Sequence, residues 1–203
     1  MKKSEEFFLK NKPKFLFGIS DIKQLKNNVN NCIEIAFIGK SNVGKSSLIN
    51  AVTKSKISIS SKTPGRTKEI NFFNIANKIN LVDMPGYGFA MVKKEQKESW
   101  NNLFYDYFSL SKNLKIIFLL IDCRKGITAE DIDFMLLFDS LKINYQIVLT
   151  KIDNINKNEV ENIINKINNE ALNHIYMNKK AIAVSARMNY NIYELQDLIY
   201  NLI

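Results

Sequence analysis

The chain has 203 residues, a formal net charge of +9, 46% hydrophobic and 24% charged residues. That length fits one domain able to bury its own core, and that balance excludes wholesale disorder. Two cysteines and one histidine exclude a disulfide framework and a four-ligand zinc site, and no stretch approaches the roughly 18 apolar residues of a membrane span.

Residues 1–31 read as a polar lead-in packing on the domain, without the apolar core of a signal peptide. Its short apolar stretch, Phe15–Ile19, either adds a strand or packs as a lid. Residues 32–203 read as one domain. Cys32 sits beside the first buried strand, Ile33–Ile38 (IEIAFI), and is expected to be a buried, reduced thiol. Directly after that strand comes Gly39-Lys40-Ser41-Asn42-Val43-Gly44-Lys45-Ser46, and directly after that an amphipathic segment, Lys45–Thr53. The pattern is G-x-x-x-x-G-K-S, the phosphate-binding loop. Its glycines let the backbone curl until successive N–H groups point at phosphate oxygens, and the helix N-terminus adds positive potential. Lys45 neutralises the β- and γ-phosphates, and the Ser46 hydroxyl ligates Mg²⁺.

The polar stretch that follows holds Thr63-Pro-Gly65-Arg66-Thr67 and continues into Lys68 and Glu69. A threonine here, Thr67 in preference to Thr63, completes the Mg²⁺ shell only when a γ-phosphate is present, the logic of an order–disorder switch. Ile70–Ile75 and Ile79–Asp83 are two further strands, with Ala76-Asn77-Lys78 as their hairpin turn. The second ends on Asp83-Met84-Pro85-Gly86. Asp83 can hold Mg²⁺ through water, and the Gly86 N–H can reach a γ-phosphate. Many phosphate-loop hydrolases place a Gln next to orient the attacking water. Here that residue is Tyr87, which cannot act the same way.

Lys94–Ser111 is the next amphipathic segment. Trp100, Leu103, Phe104, Tyr107 and Phe108 have helical spacing and are expected in the core. The strand Leu114–Asp122 leads into Cys123, a second buried thiol, and Arg124. Then follow the segment Thr128–Leu141 and the strand Tyr145–Thr150. That strand ends in Thr150-Lys151-Ile152-Asp153. A carboxylate placed here accepts from both N1–H and the exocyclic amine of guanine, whereas adenine presents its bare N1 to it. After the segment Lys157–Leu172 and His174, which is expected at the surface, the strand Ala181–Ser185 leaves Val184, Ser185 and Ala186 where a backbone N–H can approach guanine O6. Asn191–Leu202 closes the chain as a helix. Strands alternating with helices predict a mostly parallel sheet with helices on both faces and one antiparallel strand from the hairpin. Ligands bind outside the carboxyl ends of such strands.

Together these segments resemble the five guanine-nucleotide motifs of the translation-factor class of P-loop GTPases. Whole phrases are similar to the bacterial EngB family, also called YihA or YsxC: IEIAFIGKSNVGKSSLIN, SKTPGRT with INFF, LVDMPGYGFA, the Trp100 segment, LLIDCRKG and VLTKID. The likeness runs from about Phe15 to the C-terminus. It implies a three-layer α/β/α P-loop fold, GTP/GDP and Mg²⁺ binding, and GTP hydrolysis. It also implies a role in assembly of the large ribosomal subunit, with rRNA and ribosomal proteins as partners, and in cell division and septation. Nucleotide contacts then fall on Gly39–Ser46, Gly65–Glu69, Asp83–Gly86, Thr150–Asp153 and Val184–Ala186, and metal ligands on Ser46, Thr67 and Asp83. Lys45, Thr67 and Gly86 act on the γ-phosphate. Lys40, where the family often has Arg, is a departure that touches none of this chemistry.

With Tyr87 after the Asp83 motif, intrinsic hydrolysis is expected to be slow and stimulated by a partner. Asn42 resembles the residue of K⁺-activated GTPases at this place in the loop. Arg66 fits rRNA or phosphate contact better than catalysis. A septin-like structural GTP-binding module is the alternative reading. A small-molecule kinase is a third, disfavoured by the TKID motif and by the scarcity of Arg. A cytoplasmic monomer is expected.

Positive charge comes from 26 lysines and three arginines, Arg66, Arg124 and Arg187. Lys, Asn and Ile share A/T-rich codons, so genome composition accounts for much of the lysine. All three arginines fall at strand ends or in the switch segment, where a planar fork does what lysine cannot.

Overall fold

The computed structural model describes residues 2–26, 30–57, 69–88 and 94–203, with only the backbone described along 94–101. The near-continuous apolar runs need cover on both faces, and they receive it. Seven strands, β1 (Lys14–Ile19), β2 (Ile33–Gly39), β3 (Ile70–Ile75), β4 (Ile79–Asp83), β5 (Leu114–Asp122), β6 (Tyr145–Thr150) and β7 (Ile182–Ala183), form one sheet in the order β1-β3-β4-β2-β5-β6-β7. Strands β4, β2, β5, β6 and β7 run parallel, while β3 runs against both β1 and β4. One strand is therefore reversed, as the hairpin implied. Every residue of β4 and β6 is buried, the signature of parallel strands covered on both sides.

Along β2 the side chains alternate between two cores. Ile35 and Phe37 pack with Phe118, Leu48, Val52 and Leu195 under α1 (Lys3–Lys10), α3 (Lys45–Thr53) and α7 (Ile192–Tyr200), while the short helix α2 (Lys23–Lys26) lies between β1 and β2 in the chain. Ala36 and Ile38 pack with Tyr107, Phe108, Phe138 and Ile167 under α4 (Lys94–Leu110), α5 (Ala129–Ser140) and α6 (Lys157–Glu170). This is the expected three-layer α/β/α sandwich. Leu103, Phe104, Tyr107 and Phe108 are core residues as predicted; the Trp100 side chain lies outside the described residues.

Local chemistry sets the element ends. Ala76 and Asn77 both have positive φ, 55° and 54°, and the Lys78 N–H donates to the Ile75 carbonyl at 3.0 Å. That is the primed two-residue turn whose twist matches a hairpin. At the start of α5 the Asp131 carboxylate accepts from the Thr128 N–H and hydroxyl, both at 2.7 Å. At the start of α6, Asn156 and Glu159 form a reciprocal capping box.

Of the two forms expected for Phe15–Ile19, the structure takes the strand. It departs from the sequence expectations in three places. The first is α1, which precedes that strand and which periodicity did not reveal. Phe8 holds that helix down with no exposed surface, a burial that stabilises by about 2–3 kcal/mol. The strand expected over Ala181–Ser185 is only Ile182–Ala183. The Ala181 N–H turns to the Asn168 side chain, and Ser185 exchanges backbone hydrogen bonds with Tyr190 in a tight loop. His174, expected at the surface, is buried. Its Nδ1 lies 2.5 Å from Asp139 Oδ2, its Nε2 3.7 Å from Glu170, and its ring stands edge-on to Tyr145. Cys32 and Cys123 are buried free thiols, and burial, with Asp122 alongside, pushes the Cys123 thiol up to about 11. No helix among the described residues is long and apolar enough to cross a membrane.

Candidate nucleotide site

Strands β2, β4, β5 and β6 end side by side, so the loops that follow them meet. The Gly39–Ser46 loop leaves β2 and enters α3. A Cβ on Gly39 would come within 2.8 Å of the Leu120 carbonyl oxygen, so only glycine lets the loop leave the sheet here. Asn42 and Gly44 have positive φ, 64° and 103°, which folds the backbone over itself. The opening amides of α3 have no partner inside the helix and face outward as an anion-binding terminus.

Lys45 reaches across this loop to β4. Its Nζ is paired with the Asp83 carboxylate, and both side chains are nearly buried, at 12% and 7% exposure. The residues after Asp83 are strapped to the loop. The Met84 N–H donates to the Phe37 carbonyl at 3.1 Å and the Tyr87 N–H to the Gly39 carbonyl at 3.3 Å. The Ser41 N–H and hydroxyl both donate to the Tyr87 carbonyl. The strap passes so close that a Cβ on Gly86 would lie 3.0 Å from Ser41 Oγ. Met84 points into the core and Pro85 is buried, so both serve this close approach rather than the open side of the site.

On the other side, the Thr150 hydroxyl donates to the Val43 carbonyl at 2.7 Å, and Lys151 Nζ to the Asn42 carbonyl. The Ser185 hydroxyl donates to Asp153 Oδ1 at 2.6 Å and accepts from the Met188 N–H at 3.0 Å. The Asp153 carboxylate is otherwise exposed. It opens onto a cavity of about 440 Å³ lined by Gly44, Thr150, Lys151, Asp153, Val184 and Ala186. The size suits a small ligand. Ile152 sits in a single 3₁₀ turn, Ile152–Asn154, and packs on the core, which fixes the turn that aims Asp153.

The predicted residues thus come together from Gly39–Ser46, Asp83–Gly86, Thr150–Asp153 and Val184–Ala186. Gly65, Arg66, Thr67 and Lys68 lie outside the described residues. Glu69 is described, but its carboxylate lies against Gly18 of β1: a Cβ there would come within 2.6 Å of Glu69 Oε2. The donors for a divalent cation are the Ser46 hydroxyl and the Asp83 carboxylate. These hard oxygen ligands are few in number, so the set fits Mg²⁺ completed by phosphate and water rather than by a protein cage.

Sequence reasoning missed two supports of this site. The first is Asp122, which ends β5 with a 7% exposed side chain. It accepts from Arg124 Nε at 2.8 Å and Nη2 at 2.6 Å, and from Lys151 Nζ at 3.0 Å. Burial alone would raise this carboxyl, but the hydrogen bonds from Arg124 and Lys151 prevail and hold it well below the usual carboxylate range. Arg124 is thus held in its planar fork by a carboxylate, whereas the Arg187 side chain is exposed at the rim of the Asp153 cavity. The second support is Asp131, which takes the Tyr87 hydroxyl while the Tyr87 ring packs on Phe134, 4.5 Å between centroids. Burial, with Asp131 beside it, pushes the Tyr87 hydroxyl far above the usual phenol range. A signal for both existed in the sequence: an acid at a strand's carboxyl end, and a Thr-x-x-Asp helix start.

Residues 34–179 match a family model described as 50S ribosome-binding GTPase. A probable GTP-binding protein EngB from Rickettsia bellii is 44% identical over 174 residues, spanning 83% of this chain and 81% of that one. A crystal structure of a probable GTP-binding protein engB superposes with a TM-score of 0.67 at 28% identity, covering 83% of this chain and 97% of the other. Era in complex with MgGDPNP and part of 16S ribosomal RNA superposes with a TM-score of 0.66 at 25% identity, over 84% of this chain and 56% of that one. The family model, the extent of the EngB likeness and the shared fold give one answer: the chain belongs to the EngB family of GTP-binding proteins, a family of GTPases.

Proposed function

We propose that this protein is a GTP-hydrolysing switch in assembly of the large ribosomal subunit, and through that role is needed for normal cell division and septation. In this reading it is a cytoplasmic monomer that engages rRNA and ribosomal proteins in one nucleotide state. The observation that carries the reading is the linkage of the loops: Lys45 on Asp83, Thr150 and Lys151 on the carbonyls of Val43 and Asn42, and Ser185 on Asp153. Such a ring joins a phosphate loop to a base-reading carboxylate. The solved complex of Era with MgGDPNP and 16S ribosomal RNA is a structural neighbour in which nucleotide and ribosomal RNA are bound together.

In the proposed mechanism Lys45 exchanges Asp83 for the β- and γ-phosphate oxygens. Ser46, Thr67 and Asp83 would hold Mg²⁺, which would supply charge neutralisation. The Gly86 N–H meets the γ-phosphate, so the strap from Asp83 to Tyr87 responds to its presence. Asp153 reads the guanine N1–H and amine, and the Ser185–Ala186 backbone reads O6. The remaining contacts of Lys40, Gly65, Arg66, Lys68 and Glu69 are proposed to support the phosphates and switch segment. The Tyr87 hydroxyl is engaged by Asp131, so it offers no base to the attacking water. Intrinsic hydrolysis is accordingly slow and a partner supplies the missing group. Asn42, with its exposed side chain beside the loop, is the proposed K⁺ contact.

Mant-nucleotide titration should give GTP and GDP binding with ATP excluded. Co-sedimentation should give association with the large subunit in one nucleotide state only. Lack of large-subunit association in every state removes the assembly role. Turnover in K⁺ should exceed that in Na⁺ at equal ionic strength; equal rates remove the K⁺ contact.

A further inference from the structure

The nucleotide loops occupy the carboxyl ends of the parallel strands, and the opposite end of the sheet has its own pattern. Five parallel strands begin there, staggered by up to three residues from one neighbour to the next. The Ile33 N–H donates to the Lys78 carbonyl, the Glu34 N–H to Asn113, the Ile117 N–H to Asn144 and the Asn178 N–H to Tyr145. Beside Asn77, Asn144 and Asn178, the exposed residues at these starts include six lysines: Lys78 in the β3–β4 turn, Lys112 and Lys115 at β5, Lys142 before β6, and Lys179 and Lys180 before β7. Lys14 opens β1 at the same end, opposite Asn74.

Among the described residues these lysines lack a carboxylate partner, as do Lys3, Lys12, Lys23 and Lys125 elsewhere; what marks them is their place along one end of the sheet. Lys2, Lys10, Lys40, Lys45, Lys151 and Lys157 each pair with an acid, whereas among the described ion pairs none involves the six lysines from Lys78 to Lys180. Three acids at this end are engaged elsewhere. Burial raises the Glu34 carboxyl toward its neutral form, and it accepts from Tyr107 and Ser111. Asp139 takes His174 and the Tyr176 N–H, and Glu170 faces His174. Asparagines, meanwhile, brace the platform. Asn80 donates to the Asn30 side chain at 2.8 Å, and Asn113 to the Asn30 carbonyl at 2.7 Å.

We propose that this edge is an RNA-binding surface that follows phosphates with its unpaired lysines, on the side of the sheet opposite the nucleotide loops. The proposal rests on the reading of the chain as a large-subunit assembly factor. At about 4.8 Å between strands, the five parallel starts span about 20 Å, enough to meet several phosphates at once. Codon bias raises the lysine count everywhere; it does not explain why Glu34, Asp139 and Glu170 beside this edge all face other partners. A row of flexible point charges with no planar fork suits a phosphate backbone read without base specificity.

The test compares the triple variant K112E/K142E/K179E with the charge-matched K3E/K23E/K157E, each in the full chain. Binding of deproteinised large-subunit rRNA is measured against salt, with GDP affinity and melting temperature as controls on folding. The edge variant should lose at least tenfold in rRNA affinity, and its salt slope should fall by about two to three. The matched variant should stay near wild type. Equal loss in both, salt-independent rRNA binding by wild type, or loss of subunit binding with rRNA binding intact overturns the proposal. Co-sedimentation of wild type with intact subunits tests the assembly role separately: failure there with edge-dependent rRNA binding removes that role and leaves the surface.

Discussion

The two ends of the sheet use the same residue type in opposite ways. At the carboxyl end, Lys45, Lys151 and Lys40 are each tied to a carboxylate, Asp83, Asp122 and Glu130. At the amino end, the lysines are exposed and the nearby acids are spent on Tyr107, Ser111 and His174. A paired lysine is positioned within a narrow geometry, so it can act on one defined oxygen. An unpaired, solvated lysine supplies potential without a fixed target. The comparison teaches that net charge says little until each cation's partner is known.

The largest expected effect that breaks this contrast is at Asp153. Asp153→Asn puts an amide where guanine needs two acceptors, and preference for GTP over ATP should fall by roughly 10⁴-fold in competition titrations. Lys45→Ala removes the fixed cation and should weaken GDP binding about 100-fold, the scale of a charge-assisted hydrogen bond in a dry site. An effect no larger than that of an exposed lysine such as Lys112 would erase the distinction between the two ends. Asp122→Asn should weaken GDP binding about tenfold by loosening Lys151, while Lys112→Glu leaves it unchanged.

The carboxyls also titrate in opposite senses. Asp122 is held below its ordinary 3.8 by Arg124 and Lys151 against the cost of burial. Its stabilisation is therefore present above 3.8 and lost as pH falls through the depressed value. Glu34 is raised above its ordinary 4.5 by burial, so its contribution is full below 4.5 and lost as pH rises through the raised value. In thermal melts across pH, Asp122→Asn should flatten the acid limb and Glu34→Gln the limb above about 4.5. The smallest effect is at Tyr87→Phe. It deletes a buried hydroxyl from Asp131 at a cost of about 1–2 kcal/mol, seen as a melting temperature lower by about 3–6 °C.

The elements were legible in the sequence where one local rule sufficed. IEIAFI, INFF, INLVD and YQIVLT could only be buried strands, and the turn over Ala76-Asn77-Lys78 joined two of them. The G-x-x-x-x-G-K-S spacing fixed a loop because glycine alone tolerates Gly39's approach to Leu120 and Gly44's φ of 103°. Helix α1 was not legible, because Phe8 shares its core with residues of α3 and α7 far away in sequence.

The sequence by itself determined the layered fold, the order of the site loops and the family, since each depends on residue type at short spacing. Only the tertiary structure decided partners. It closed Lys45 on Asp83, bound Arg124 and Lys151 to Asp122, buried His174 against Asp139, and left one edge of lysines unpaired. Ion pairs and buried hydrogen bonds join residues far apart in the chain, and their strength depends on burial and distance, which a linear sequence does not carry.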